Sequence, residues 1–295
     1  MNPYKPFLTV VAVIVSLTQA FSNQQSNDSI ILVQSIREWE EVFPGVKFTR
    51  IRFEQKELFS SNQCLHLIEV APGAVKFALA AEPLLTTTGE MAQKQNAIAA
   101  INGSFFKFTN EYNIEDYNSV NYLRINNVCL ADNEYSETGL RKMHQEGAVS
   151  ILDGALFVLK ATSEDNWETT IEGQDVISSG PVLAIERCPE PLRDDSFSTT
   201  RHPRTAVATK SDGTVMLFIA DGRNAYAEGM SLEELQKTLL WLGACDVINF
   251  DGGGSSTMYI RGRGEEGVVN YPCDNRQFDH LGSRKVANAL YIVIE

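Results

Sequence analysis

The sequence predicts a mixed α+β fold, with mixed twisted sheets in a single compact domain and a β-α-β unit near the C-terminus. The 295 residues are 43% hydrophobic and 21% charged, an ordinary globular composition that can fill a substantial core. No Pro/Ser/Gly-rich linker and no solenoid-length repeat interrupts residues 31–295, so this range is assigned to one domain. Short apolar runs of the strand type outnumber helical segments, and the last third follows a strand–helix–strand pattern.

The N-terminus has the order of regions found in a secretory signal. In MNPYKPFLTVVAVIVSLTQA, Lys5 precedes an apolar run from Phe7 to Leu17, and small and polar residues follow. The run is shorter than the roughly 20 residues that a spanning helix needs, although a retained anchor is the alternative. Residues 1–20 are therefore predicted to be a signal peptide, and the polar residues 21–30 a disordered leader. The mature protein is expected to be secreted or periplasmic, with no stable membrane span after cleavage.

The next elements are mostly strands. Period-two apolar spacing predicts paired strands, and the dipeptides Asp153-Gly154 and Asp212-Gly213 predict hairpin turns. Threonines at the start of TTTGEMAQKQ predict a short helix. The predicted elements in this part of the chain are strands 45–54, 63–71, 97–101 and 175–186, the helix 86–95, the hairpins 147–159 and 205–221, and a closing strand 286–294.

The last third contains the best-defined unit, a strand at 215–220, a helix at 231–242 and a strand at 246–250. Ser231 and Glu234 have the spacing of a capping box, leucines recur on one face of the helix, and a glycine ends it. A right-handed crossover makes the two strands parallel neighbours or near-neighbours. Their carboxyl ends then share one edge of the sheet, where open α/β sheets place ligands.

That edge carries charged residues and a glycine run. The first strand is followed by Asp221 and Arg223, and the second by Asp251 within NFDGGGSSTM. No lysine follows the glycines as a phosphate-binding loop requires, and the serines do not fit a nucleophile elbow. A nest of backbone N–H groups beside Asp251 could hold an anionic or hydroxyl-rich ligand, whereas a tight turn capped by hydroxyls is the structural alternative.

Three further segments supply polar candidates. Arg204 in RHPRTAVA follows a proline that fixes the approach, which suits bidentate recognition of phosphate, although a surface arginine fits too. Asn102 and Gly103 in INGSFF end a buried strand next to aromatics, and Gly180 in SSGPVL marks a bulge or close approach. Core packing and capping are the alternatives for these two segments.

The charge balance and the histidine count limit the possible partners. A net charge of −13 lacks the basic stripe that a nucleic-acid binder needs, so no nucleic acid is expected as a partner. The four histidines lack ligand spacing and no C-x-x-C pair occurs, so no cofactor is expected. A Ca²⁺ held by Asp221 and Asp251 is the alternative that stays open.

Taken together, seven segments resemble the phosphodiester glycosidase family in order and rough spacing. They are NGSFF, SGPVLAIE, HPRTAVA, DGT…LFIADGR, GMSLEEL, LGACDVINFDGGGSSTM and RKVANALYIV. The resemblance covers roughly Ile98 to Ile294, and its most specific parts are HPRTA, ADGR and FDGGGSS. Ser104 and Phe250 depart mildly from the family pattern, and the extensions of the animal members have no counterpart. The resemblance therefore implies the catalytic domain and not the animal substrate.

The resemblance implies a hydrolase that cleaves a sugar-1-phosphodiester, releasing the sugar and leaving a phosphomonoester. It points to N-acetylglucosamine as a family sugar, and leaves the sugar and aglycone of this chain open. Asp251 or Asp221 would serve as nucleophile or base, with Arg204 and Arg223 as a phosphate clamp. The residues expected to bind the sugar-phosphate substrate are Asn102, Gly103, Gly180, Thr205, Gly252, Gly253, Gly254, Ser255, Ser256 and Asn288. The alternatives are a non-catalytic glycan-binding or envelope-assembly protein, and a phosphodiesterase that cuts the P–O bond.

Overall fold

A computed structural model describes residues 27–36, 38–107, 115–135, 142–264 and 266–294. The predicted signal peptide and residues 21–26 of the predicted leader lie outside this range. Residues 27–30 correct the leader prediction, because they form the first turn of helix α1 (Asn27–Ser35). Burial of Leu32 against the core explains why this polar segment is ordered. Within the described residues, no helix is long and apolar enough to cross a membrane.

The other helices are α2 (Thr88–Lys94), α3 (Ser196–Thr199) and α4 (Leu232–Trp241). The strands are β1 (Glu40–Phe43), β2 (Val46–Leu58), β3 (Ser61–Val70), β4 (Lys76–Thr87), β5 (Ala99–Asn102), β6 (Leu123–Ile125), β7 (Val128–Ala131), β8 (Gly147–Leu152), β9 (Ala155–Lys160), β10 (Asp175–Ser179), β11 (Val182–Ile185), β12 (Cys188–Pro189), β13 (Arg204–Lys210), β14 (Val215–Ala220), β15 (Ala244–Asn249), β16 (Met258–Ile260) and β17 (Lys285–Val293). The mixed α+β class is confirmed, with strands predominating.

The described strands form three sheets around one apolar core. The largest has the order β1-β2-β3-β14-β13-β15-β11-β12, the second β7-β6-β10-β8-β9, and the third β16-β5-β17-β4. Ile68, Val149 and Leu290 represent the three sheets in the shared core. Helices α1 and α4 cover the outer face of the largest sheet, and α2 covers that of the third. The core therefore ties all three sheets into one body.

The β-α-β unit is present as predicted. Ser231 and Glu234 form both hydrogen bonds of the capping box at the start of α4, and Gly243 with φ +94° follows its end. Strands β14 and β15 run parallel but are separated by β13, which is antiparallel to both. The carboxyl ends of β14 and β15 and the first residue of β13 consequently share one edge of the sheet.

The hairpin predictions are confirmed, and one predicted strand is divided. Asp153 and Gly154 both have positive φ between β8 and β9, as a two-residue hairpin turn requires. The run 175–186 separates at the cis peptide Gly180-Pro181 into β10 and β11, which belong to different sheets. Strand β4, which sequence patterning missed, contains a proline and pairs along β17.

Candidate active site

The predicted site segments meet at the edge where β13 begins and β14 and β15 end. Main-chain hydrogen bonds join the loops there: the N–H of Gly253 donates to the carbonyl of Pro203 at 2.8 Å. The N–H of Asp251 donates to the carbonyl of Gly103 at 3.2 Å. The segments therefore converge as predicted, whereas their side chains point in different directions.

Asp251 is a half-buried residue at this edge. Its main-chain carbonyl accepts a hydrogen bond from Asn102 Nδ2 at 2.7 Å, which fixes the residue in place. Burial raises the pKa of Asp251 to about 6, against the opposing effects of the Ser255 hydroxyl and the Arg284 and Arg223 guanidinium groups. A carboxyl group with a pKa near 6 can exchange a proton at near-neutral pH, as acid–base catalysis requires.

The glycine run Gly252–Gly254 allows three close approaches beside this carboxyl group. A Cβ on Gly252 would lie 2.6 Å from Pro203 O. A Cβ on Gly253 would lie 3.0 Å from Arg223 Nη2, and one on Gly254 would lie 2.3 Å from Arg284 Nη2. Gly253 also has φ +62°, a conformation that favours glycine. The glycines thus bring the main chain against a neighbouring loop and against two guanidinium groups.

The two guanidinium groups differ in their partners. Arg284 donates to Asp274 Oδ1 through Nε at 3.0 Å. Arg223 is exposed, and its Nη1 lies 4.0 Å from Cys273 Sγ. Within the described part of the chain, Arg223 forms no ion pair. Arg223 is therefore a cation beside Asp251 that is accessible to an anionic ligand.

Arg204, predicted as a catalytic phosphate contact, points away from this edge into the protein. It is only 1% exposed, and it donates to the carbonyls of Met230 at 2.9 Å, Phe197 at 2.6 Å and Thr200 at 3.0 Å. Burial, together with the charge of Arg223, lowers its pKa to about 10. In this geometry Arg204 holds main-chain segments together, and of the two arginines predicted as a clamp only Arg223 is accessible.

Asp221, predicted as an alternative catalytic carboxylate, is likewise used internally. Its Oδ2 lies 2.7 Å from His66 Nε2, and its Oδ1 accepts from Asn270 Nδ2 at 2.9 Å and from the N–H of Tyr271 at 3.0 Å. The side chain is 1% exposed. With both oxygens occupied and no access to solvent, Asp221 is placed to support the edge rather than to attack a substrate.

Asp221 belongs to a cluster of side chains that could ligate a metal ion. Among the described residues, Cys64, His66 and Asp221 are the one group of three or more His, Cys, Asp or Glu side chains whose ligand atoms lie within 4.8 Å of one another. Asp251 is not part of that group. A calcium ion held by Asp221 and Asp251 stays a prediction.

Asn102 and Thr205, predicted to bind substrate, form a buried hydrogen-bond network instead. Asn102 Oδ1 accepts from Thr205 Oγ1 at 2.9 Å and from the N–H of Thr257 at 3.1 Å. Thr205 Oγ1 also lies 3.1 Å from Ser256 Oγ. Both residues are inaccessible, so the network positions the loop that carries Asp251.

Asn288 and the two predicted glycines make close contacts within the protein, although Asn288 Nδ2 has no hydrogen-bond partner among the described residues. Asn288 Oδ1 accepts from the N–H of Ser104 at 2.7 Å, and a Cβ on Gly103 would lie 2.0 Å from that same oxygen. A Cβ on Gly180 would lie 2.4 Å from the carbonyl of Met143. Only a residue without a side chain fits at these two positions.

Ser255 and Ser256 of the loop differ in their hydrogen bonds. Ser256 belongs to the buried network, whereas the buried Oγ of Ser255 has no hydrogen-bond partner among the described residues. The Ser255 hydroxyl lowers the pKa of the Asp251 carboxyl group, against the larger effect of burial. Ser255 is therefore the loop serine whose hydroxyl lies next to the Asp251 carboxyl group.

Sequence reasoning missed Arg284, Cys273 and the partners of Asp221, which come from distant segments. One signal was available for the side-chain directions. Side chains alternate between the two faces of a strand. Arg204 lies two residues before Ala206, which packs on the helix side, and Asp221 lies two residues after Ile219, which packs in the shared core. The alternation therefore predicts that Arg204 and Asp221 point into these two layers and away from the cleft.

Comparisons with known proteins identify the family and the fold. A family profile described as phosphodiester glycosidase matches residues 95–293. N-acetylglucosamine-1-phosphodiester alpha-N-acetylglucosaminidase from mouse is 36% identical over 97 residues, covering 32% of this chain and 18% of that protein. The human protein of the same name is 34% identical over 109 residues, covering 35% of this chain and 20% of that protein. The match thus spans a fifth or less of these two relatives.

A solved structure extends the likeness over nearly the whole chain. The catalytic domain of the zebrafish N-acetylglucosamine-1-phosphodiester alpha-N-acetylglucosaminidase, auto-inhibited by its pro-peptide, superposes with a TM-score of 0.64. The superposition covers 87% of this chain and 86% of that one, at 17% identity. At this identity, the likeness shows a shared fold.

Proposed function

Since this chain belongs to the phosphodiester glycosidase family, we propose that it hydrolyses a sugar-1-phosphodiester of an exported glycan or glycoconjugate. The products are the free sugar and a phosphomonoester on the remaining aglycone. N-acetylglucosamine is the proposed sugar, because the mouse and human relatives are named for its 1-phosphodiester. Export is proposed from the signal-like residues 1–20.

One observation carries the proposal: a carboxyl group whose pKa is raised by burial lies next to a glycine run that contacts Arg223, and Arg223 forms no ion pair among the described residues. Asp251 supplies the carboxyl group, and the backbone at Gly253 brings Arg223 close to it. An anionic phosphodiester can bind to Arg223 in a bidentate manner. The carbon attached to the bridging oxygen then comes within reach of Asp251.

The proposed chemistry breaks the bond between the anomeric carbon and the bridging oxygen. A water oxygen becomes bonded to that carbon, the bridging oxygen leaves with the phosphate, and one water proton passes to Asp251 when it acts as base. In the nucleophile variant, Asp251 first bonds to the carbon and water then releases the sugar. A phosphomonoester, whose second pKa is about 6, leaves without prior protonation, and Arg223 stabilises its charge.

In this proposal, most of the remaining predicted residues hold the loops and strand ends of the site in place. Asn102 and Thr205 fix the Asp251 loop, and Asn288 fixes the segment that accepts the Asp251 N–H. Arg204 and Asp221 anchor the ends of β13 and β14. Ser255 and the N–H group of Gly254 are left as the proposed contacts to sugar hydroxyl or phosphate oxygen atoms, since the N–H of Gly253 donates to Pro203.

The test is hydrolysis of sugar-1-phosphodiesters in ¹⁸O-labelled water, by the wild type and by Asp251→Asn, with and without a chelator. We expect the label in the released sugar, no chelator effect, and little turnover by Asp251→Asn. Label in the phosphate would identify a P–O-cleaving phosphodiesterase instead. Tight binding of the diesters to wild-type protein without turnover would favour the glycan-binding alternative. Mass analysis of secreted protein tests export, with a mature start expected shortly after Ala20.

A further inference from the structure

The cluster of Cys64, His66 and Asp221 lies on the core-facing side of the largest sheet. Cys64 and His66 are two residues apart on β3, so their side chains share one face of that strand. His66 pairs with Ile219 of β14, whose side chain belongs to the shared core. Asp221 directly follows β14, and its N–H donates to the carbonyl of Cys64 at 2.9 Å. Strand register therefore brings a thiol, an imidazole and a carboxyl group together from distant parts of the chain.

The three ligand atoms of the cluster face one another at short range. His66 Nε2 lies 2.7 Å from Asp221 Oδ2 and 3.4 Å from Cys64 Sγ, and all three atoms lie within 4.8 Å of one another. Zinc bond lengths of about 2.0–2.3 Å place the ligand atoms of a tetrahedral site roughly 3.3–3.6 Å apart. The sulfur–nitrogen distance already has such a value, and the nitrogen–oxygen distance needs to open by roughly 0.6 Å. A zinc ion therefore fits between these atoms after a small shift of the side chains.

The charges of the cluster also match a divalent ion. All three side chains are buried, and burial, together with the neighbouring Asp221 carboxylate, raises the pKa of the Cys64 thiol. The His66 Nδ1 atom has no hydrogen-bond partner among the described residues, so no neighbouring group opposes a proton there. When zinc binds, the thiol proton passes to solvent and the imidazole proton moves from Nε2 to Nδ1. The thiolate and the carboxylate then neutralise the two charges of the ion.

Arg52 separates the cluster from solvent and provides the route to it. Its guanidinium group acts on the Cys64 thiol and favours the ionised form, and its side chain is 39% exposed. Arg52 also lines a cavity of about 360 Å³ together with Tyr271. Rotation of this one long side chain therefore gives access to an ion and to a water molecule. Zinc with three protein ligands keeps a fourth position for such a water.

We propose that Cys64, His66 and Asp221 bind one zinc ion, which ties β3 to the end of β14. A thiolate, an imidazole and a carboxylate are all zinc ligands, whereas Ca²⁺ and Mg²⁺ take oxygen ligands. Cys64 and His66 precede residues 95–293, so the match to the family profile does not supply this site. Asp251 is not part of the cluster, so the ion holds the edge of the sheet and takes no part in the proposed bond cleavage.

Cobalt, whose absorption reports a sulfur ligand, tests the site without requiring turnover. Co²⁺ is titrated into wild type, Cys64→Ser, His66→Gln and Cys129→Ser, with a reductant that contains no thiol. Cys129→Ser is the control, because it removes an exposed thiol on β7. We expect one cobalt ion per chain, with sulfur-to-cobalt charge-transfer absorption, in wild type and in the control. Zinc should displace the cobalt, Cys64→Ser should lose the absorption, and His66→Gln should lose the stoichiometric binding. The same absorption in Cys64→Ser as in wild type would overturn the proposal.

Two measurements on the wild type decide the proposal even where a variant fails to fold. The ¹¹³Cd NMR spectrum of the cadmium-loaded protein should show one resonance at the shift of a site with one sulfur ligand. Saturating zinc should raise the melting temperature of the wild type. A cadmium resonance typical of oxygen ligands alone, or a melting temperature that zinc does not change, would overturn the zinc site. Neither result bears on C–O cleavage, so the proposed function stands or fails separately.

Discussion

At the scale of residues, the cleft contrasts a fully buried aspartate and arginine with a less buried aspartate and arginine. Arg223 is exposed and Asp251 half-buried at the edge of the sheet, while Asp221 and Arg204 are enclosed and hydrogen bonded. The enclosed pair is expected to matter for folding and the accessible pair for activity. Substitutions that change charge but keep shape separate the two roles.

Asp251→Asn should reduce kcat by about a hundredfold or more, since it removes the group proposed as base or nucleophile. Stability should stay the same or increase. The folded-state pKa is raised from 3.8 to about 6, so ionised Asp251 disfavours folding above pH 6, by at most about 3 kcal/mol. The measurements are kcat and melting temperature at pH 7.5. Asp165→Asn, at an exposed site, is the control. Near-normal turnover by folded Asp251→Asn would remove Asp251 from the mechanism.

The pH dependence of kcat/KM should report the same group. An ionised Asp251 is required as base or nucleophile, so activity should fall as pH drops through about 6. The stability contribution has the opposite sign: it is present below about pH 4 and is lost as pH rises to about 6, because only the folded state still binds the proton. A profile that stays flat from pH 7 to pH 4.5 would contradict this assignment.

The two arginines should respond in opposite ways. Arg223→Lys keeps the charge but loses the planar fork, so it should lower kcat/KM for phosphodiesters at least tenfold with little change in melting temperature. Arg204→Lys should destabilise the protein by about 1–3 kcal/mol for each buried carbonyl left unpaired. Denaturant unfolding and kinetics on the folded fraction measure both effects. A stable Arg204→Lys protein that fails only on phosphate-containing substrates would restore the original clamp prediction.

At the scale of elements, the cleft depends on loops whose neighbours are distant in sequence. Gly252→Ala places a Cβ 2.6 Å from the main-chain oxygen of Pro203, which cannot move independently of β13. We expect a loss of about 1–3 kcal/mol in stability from the overlap, and at least a tenfold lower kcat because the Asp251 loop shifts. Gly262→Ala is the control: φ +76° strains alanine, but no atom lies within 4 Å of the added Cβ. If folded Gly252→Ala and Gly262→Ala turn over substrate equally fast, the position of the Asp251 loop does not control activity.

Local signals explain why some elements were predictable. Helix α4 has its cap, its apolar face and its terminating glycine within a few residues, so sequence alone located it. The parallel direction of β14 and β15 followed from the β-α-β connection, in which the helix returns the chain to the edge of the sheet where the first strand began. Insertion of β13 between them, and passage of the chain between sheets after β10, depend on long-range pairing that no local pattern encodes.

The same distinction applies to the site. FDGGGSS and ADGR marked the loops that meet at the candidate cleft, because glycines and charges at strand ends are visible in sequence. The partners that decide whether a side chain is free, such as His66 and Asn270 for Asp221, come from strands and loops far along the chain. Which carboxylate is free for chemistry therefore required the three-dimensional arrangement.

At the scale of the whole molecule, the three sheets share one apolar core, while separate outer layers flank it. Trp241 packs in the helix layer behind the largest sheet, and Trp167 in the layer behind the second sheet. Because both layers attach to the same core, they should lose structure together. This predicts a single cooperative domain for residues 31–295.

The prediction is tested with two variants that each retain either Trp167 or Trp241 as the only tryptophan. For each variant, the urea midpoint measured by fluorescence should coincide with the midpoint measured by circular dichroism. Adding Leu290→Ala, a fully buried core position on β17, should lower the free energy of unfolding by about 2–5 kcal/mol at both reporters. Leu84→Ala on β4, 54% exposed, should change it by less than about 0.5 kcal/mol. Because Leu290 belongs to the third sheet and neither reporter does, a shift seen at only one tryptophan would show that the sheets unfold as separate units.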